Sequence, residues 1–198
     1  MTRDQVPEAL LATARVEFLR YGFDGTDVNR IARRSGSSPN TFYRLFKDKT
    51  DVFLAIFRRW SEEERQGLQR LLARRGPMPP IVEACIARYR SHAPFRRSLR
   101  LLGSEDARVR RAIAEARLET VTTLKSGLAD PRADDAEIAF DLLRFEQLAA
   151  ALAEGELAEM GFGDGAARAE LAAILTRWRT SHGPALPIPV LVSEALLA

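Results

Sequence analysis

Residues 26–49, TDVNRIARRSGSSPNTFYRLFKDK, read as two short helices joined by a tight turn, and few other chain paths suit them. Thr26 has a hydroxyl able to cap the first turn, and Asp27 suits the positive end of a helix dipole. Val28, Ile31 and Ala32 follow at i, i+3, i+4, which makes one apolar face. Ser35-Gly36-Ser37 ends that helix, because glycine accepts the positive φ of a tight turn and serine prefers caps and turns. Ser38 then reads as an N-cap and Pro39 as a first helical residue, since proline disfavours αR in the residue before it. Phe42, Leu45 and Phe46 fall on the inward side, leaving Asn40, Thr41, Tyr43 and Arg44 outside. Asn and Arg side chains match adenine and guanine edges, whereas hydroxyls and Lys49 suit phosphate oxygens. Asp48 reads as the cap of the next helix, with Lys49 pointing back toward a DNA backbone.

A helix hairpin with a glycine turn is common, and Arg44 or Lys49 taken singly reads as a solvated surface charge. The ordered combination of caps, inward aromatics and a polar outer face points instead to DNA; Phe42 and Phe46 are core on either reading. The segments LRYGFDGT and IARRSGSSPNTFYRLFKDKTDVF resemble the amino-terminal domain of the TetR/AcrR transcriptional regulators over about residues 8 to 57. Ser37 stands where that pattern usually has valine and Asn40 where it has glycine, so no operator sequence carries over. The resemblance implies an all-α chain: a three-helix DNA-binding domain at 1–48, a larger helical effector-binding and dimerisation domain at 49–182, and an apolar tail at 183–198. It implies DNA contacts from Thr26, Ser38, Pro39, Asn40, Thr41, Tyr43, Arg44 and Lys49. It also implies a homodimer on a palindromic operator and a small-molecule effector.

Charge is divided along the chain in keeping with this. Residues 1–60 hold eleven Lys/Arg against seven Asp/Glu, whereas residues 134–170 hold two arginines against ten acids. The expected nucleic-acid end is basic and the far end is not. An apolar content of 46% is enough for a sizeable core. No apolar run approaches 18 residues and no signal peptide is recognisable, so a cytoplasmic protein without membrane contact is expected. Cys85, the single cysteine, excludes an intrachain disulfide and reads as a small buried hydrophobe rather than a redox sensor.

Outside the tail GPALPIPVLVSEALLA, no stretch alternates as a strand. Helices are expected from about Pro7 to Tyr21, with Leu11, Ala14, Phe18 and Tyr21 on one face, and from Lys49 to about Arg74, ending before Gly76-Pro77-Met78-Pro79-Pro80. Further helices are expected at roughly 80–92, 95–102, 105–129, 134–160 and 165–181. On the last two, Ile138, Leu142, Phe145, Ala149 and Leu152 form one apolar stripe, and Leu171, Ile174, Leu175 and Trp178 another. These stripes either close the chain's own core or pair two copies. Recognition of a symmetric operator favours the pairing, with Leu142, Phe145, Ala149, Leu152, Leu171, Leu175 and Trp178 as its interface.

For the effector, Phe57, Trp60, Tyr89, Phe95 and Phe140 are candidate cavity aromatics, with plain core packing as the alternative. Residues 88–111 hold eight arginines against Glu105 and Asp106, a run that reads as a solvated face but that an anionic effector would suit. Enzymatic function finds little here: His92 and His182 lack metal-ligand spacing, and no GxSxG, Walker or GxGxxG pattern occurs. No catalytic residue, metal or cofactor is assigned. A DNA-binding dimer without an effector is the remaining alternative, and the tail, held extended by Pro184, Pro187 and Pro189, is expected to pack on the body or a partner.

Overall fold

The computed structural model describes residues 8–128 and 134–179, and among them every regular element is a helix. The order is α1 (Glu8–Tyr21), α2 (Val28–Arg34), α3 (Pro39–Leu45), α4 (Lys49–Leu72), α5 (Met78–Ser91), α6 (Ala93–Glu105), α7 (Ala107–Gly127), α8 (Asp135–Glu154), α9 (Glu156–Glu159) and α10 (Gly165–Trp178). The caps follow from the sequence with one exchange. Ser38 Oγ accepts from the Thr41 amide at 3.1 Å and Asp48 Oδ1 from the Asp51 amide at 2.8 Å, as their positions predict. The α2 cap is Asp27 rather than Thr26: Asp27 Oδ1 accepts from the Arg30 amide at 2.8 Å. Gly36 sits at φ +71 in the turn between α2 and α3, a conformation that other residues adopt only under strain. The helix expected over 134–160 stops at Gly155, after which α9 adds a single turn. The apolar tail lies outside the described residues.

Two hydrophobic cores share α4. The first gathers Leu10, Ala14 and Phe18 of α1, Ile31 of α2, Phe42 of α3 and Val52 to Trp60 of α4, and is closed by Phe95 and Leu99 of α6 and Val109 and Ala112 of α7. On α1 the buried positions are Leu10, Ala14, Glu17 and Phe18; Leu11 is only partly buried and Tyr21 is exposed, so the inward face is rotated by one residue from the expected stripe. The second core takes Leu72 of α4, Ile81 to Tyr89 of α5, Val121 and Leu124 of α7, and the inward faces of α8 and α10. The expected boundary at residue 48 therefore falls at the start of a helix that belongs to both cores, not between them.

Leu142, Phe145, Ala149, Leu152, Leu171, Leu175 and Trp178 all lie in the second core, at most 5% exposed. The structure thus corrects the interface assignment: these stripes meet each other and α5 inside one chain. The outward side of α8 carries Phe140 and Leu143 instead, at 61% and 45% exposure. Periodicity identifies an apolar stripe but not what covers it, and here α8 has apolar residues on both sides.

Candidate nucleic-acid interface and interior cavity

The outer face of α3 is free for contact. Asn40, Tyr43 and Arg44 are exposed beside Ser38 and Pro39, and Thr41 is half-buried with its hydroxyl 3.1 Å from that of Ser38. Phe42 beneath them is fully buried and Phe46 nearly so, with ring centroids 5.5 Å apart, which anchors the helix from below. Side chains able to meet base edges are therefore presented from a rigid support.

Two residues expected at DNA are used inside the domain. Thr26 is buried, and its Oγ1 donates to Glu17 Oε2 at 2.9 Å. Lys49 Nζ donates to the carbonyls of Phe23 (2.9 Å) and Thr26 (3.1 Å) and lies 3.9 Å from the centroid of the Phe23 ring. Burial draws the Lys49 ammonium below its ordinary pKa, with Asp24 and Asp27 opposing the shift. Lys49 thus ties the loop after α1 to the start of α4. A sequence motif records that a lysine belongs there but not which oxygens it meets.

Glu17 is the residue that sequence reasoning missed. It is fully buried and pairs with Arg30 Nε at 2.7 Å and Arg34 Nη1 at 2.9 Å, which pins α2 to α1. A buried carboxylate without such partners would cost several kcal/mol. A signal was present: Ala14, Glu17 and Phe18 stand at i, i+3, i+4, placing the acid inside an apolar stripe.

Between α4, α5, α6, α7 and α8 lies a cavity of about 490 Å³, within the range of small-molecule sites. Phe57, Trp60 and Tyr89 line it as expected. Phe95 and Phe140 do not. Phe95 is fully buried in the first core, 4.9 Å from the Phe53 ring and 5.1 Å from Trp60 by centroids, and Phe140 faces out from α8. The rest of the apolar wall includes Leu68, Leu99, Ile113, Leu142 and Phe145. Cys85 also touches the cavity, and burial pushes its thiol up to about 11, so it stays protonated as a small hydrophobe.

The polar wall centres on Glu64. Arg88 Nε lies 2.6 Å from its Oε1, and Arg96 pairs with its Oε2. The Arg96 guanidinium lies over the rings of Tyr89 and Trp60, 3.6 and 4.6 Å from their centroids. Trp60 Nε1 donates to His92 Nδ1 at 3.4 Å, and burial, with Arg96 and Arg88 nearby, pulls His92 down to about 4. His92 is therefore a neutral acceptor at neutral pH.

The cavity and the amino-terminal domain meet through α6. Arg96, Leu99, Arg100 and Gly103 of this helix face the cavity, while its Ser98 Oγ accepts from the Phe23 amide at 2.7 Å. Gly22, at φ +72, packs so closely that a Cβ there would stand 2.8 Å from Ser98 Oγ. From α7, Arg108 reaches Asp48, the α4 cap, at 3.1 Å. Among the described residues no group of His, Cys, Asp and Glu is placed to hold a metal ion, and no helix is long and apolar enough to cross a membrane.

Residues 10–56 match the family described as bacterial regulatory proteins, tetR family. No curated protein matches the chain. Among solved structures, one from Mesorhizobium loti MAFF303099, described as a TetR-family transcriptional regulator, is similar at a TM-score of 0.58, with 16% identity over 90% of this chain and 96% of that one. GusR of Salmonella enterica is similar at 0.57, with 19% identity over 86% and 93%. FadR of Bacillus subtilis, solved in complex with stearoyl-CoA, is similar at 0.50, with 14% identity over 88% and 98%. At such identities the likeness is one of fold.

Proposed function

We propose that this chain, whose residues 10–56 match the tetR family of bacterial regulatory proteins, is a DNA-binding transcriptional regulator of that family, and more narrowly a ligand-responsive repressor acting as a homodimer on an approximately palindromic operator. Two copies of α3 enter successive major grooves, with Asn40 and Arg44 reading base edges and the Ser38 and Thr41 hydroxyls meeting the backbone. Pairing uses the outward side of α8, where Phe140 and Leu143 are exposed, since the inward stripe is already covered.

The observation that carries ligand response is the double role of α6. The same helix lines the cavity and holds Phe23 through Ser98, so a ligand wedged against its inner side moves the support of α1 and α2. Differential binding to the two arrangements then shifts the population away from the DNA-competent one. Coupling of this kind is reciprocal. The test is operator affinity measured with and without saturating amounts of a compound found by thermal shift, together with that compound's affinity with and without operator. Both should fall by the same factor, typically about 5- to 150-fold. An unchanged operator affinity makes the chain an unregulated DNA-binding dimer.

A further inference from the structure

Six arginines reach the cavity wall (Arg65, Arg88, Arg96, Arg100, Arg110 and Arg117), against only two acids, Glu64 and Glu146. Four belong to the run at 88–111, and the structure grades that run: Arg88 and Arg96 are partly buried at the cavity, Arg100 and Arg110 touch its wall yet stay exposed to solvent, and Arg90, Arg97, Arg108 and Arg111 are exposed away from it. Not all six are uncompensated. Arg117 pairs with Glu146 at 2.5 Å, Arg65 with Glu62, and Arg100 with Glu154 at 3.1 Å. The surplus sits elsewhere. Arg88 and Arg96 share the single carboxylate of Glu64, whereas Arg110, which donates to the carbonyls of Gly103 and Ser104 at 3.0 and 3.3 Å, is exposed and solvated.

Arg96 is where this surplus is most enclosed. Its side chain is 16% exposed, its guanidinium lies over the rings of Tyr89 and Trp60, and its Nε is buried without a hydrogen-bond partner among the described residues. His92 beside it is neutral and offers no negative charge. Two guanidinium groups on one carboxylate leave a net positive charge against an apolar wall, which is costly, and a second carboxylate or a phosphate oxygen relieves that cost by a charge-assisted hydrogen bond. A cation would be repelled, and an uncharged molecule would leave the surplus in place.

We propose that the cavity takes an amphipathic anion: a carboxylate or phosphate head held by Arg96 and Arg88, and an apolar body along Leu68, Leu99, Ile113, Leu142 and Phe145. This inference rests on the sensor reading above, and names the chemical class of its ligand.

The test is isothermal titration of the full chain, below micelle-forming concentrations, with four probes of one chain length: decanoate, decyl phosphate, decan-1-ol and decyltrimethylammonium. At least one anion should bind one-to-one and roughly tenfold or more tighter than the alcohol, with the cation weakest; the tighter anion identifies the head. Arg96→Gln should remove most of that tenfold preference while leaving alcohol affinity unchanged, and Arg96→Lys should restore part of it. Arg88→Gln, on a less enclosed side chain, provides the same reading if Arg96→Gln does not fold. Alcohol binding as tight as the anions, equal losses for alcohol and anion in the glutamine variants, or saturable binding by none of the four overturns the proposal. An anion that binds through Arg96 yet leaves operator affinity unchanged upholds this inference and sinks the sensor reading, so the two fail separately.

Discussion

Glu17 and Glu64 are both carboxylates removed from bulk water, and each is gripped by two guanidinium groups, yet the two regions use that pattern to opposite ends. At Glu17 the arginines reach the surface, with Arg30 33% and Arg34 50% exposed, so the surplus positive charge is solvated. Water screens it, and the arrangement acts as a lock between α1 and α2. At Glu64 both arginines line the cavity; Arg88, at 36%, is about as exposed as Arg30, but Arg96 is only 16% exposed, so part of the surplus is left on a cavity wall away from bulk water. An ion pair is informative through where its uncompensated charge points: outward, water solvates it and the pair is support; inward, it is the charge that the proposed anion would meet.

The sharpest contrast is a buried carboxylate with no guanidinium at all. Leu175→Asp places one in the second core, where Leu175 is fully buried, and should cost more than about 4 kcal/mol, read as loss of the cooperative melting transition. Leu143→Glu, on the exposed side of α8, should leave melting nearly unchanged and shift sedimentation from dimer to monomer. A dimer that survives Leu143→Glu removes that face as the interface.

Next in size is the lock itself. Glu17→Ala leaves two arginines and the Thr26 hydroxyl without their acceptor, at a cost of about 3 kcal/mol in denaturant unfolding. A loss below roughly 0.5 kcal/mol would show that solvent already carries those charges, and the comparison with Glu64 would collapse.

Arg44→Ala should lose about 1 to 3 kcal/mol of preference for the operator over a scrambled duplex, with no change in melting temperature. Lys49→Ala should do the reverse and lower stability, because its ammonium bonds two carbonyls of the domain. Equal losses of Arg44→Ala on both duplexes would make Arg44 a phosphate contact.

The smallest effect is on acid stability. His92 has a folded pKa of about 4, below the 6.5 of an unperturbed histidine, so the unfolded chain binds the extra proton first. Its contribution is fully present above pH 6.5 and is lost as the pH falls toward 4. After solvent screening of a partly exposed ring, the loss is about 1 to 2 kcal/mol. His92→Gln, which keeps an acceptor for Trp60, should flatten the stability profile between about pH 6.5 and 5, above most carboxylate titrations. An unaltered slope there would mean that His92 charges freely beside Arg96.

Local grammar was legible in the sequence wherever one short segment contains both partners of an interaction. Ser38 and Thr41, Asp48 and Asp51, and the glycine between α2 and α3 lie within a few residues of one another, so their roles follow from caps and turns alone. The same holds for helix positions, since proline and glycine end helices by their own backbone chemistry. Only the tertiary structure decided what lies across from each face. It set Lys49 on the carbonyls of Phe23 and Thr26, the inward stripes of α8 and α10 in one chain's core, and four arginines of a polar-looking run at a cavity wall. The physical reason is that periodicity specifies which side of a helix is apolar or charged, whereas the partner of that side comes from residues such as Glu64 and Arg88, distant in sequence, whose meeting depends on how every other helix packs.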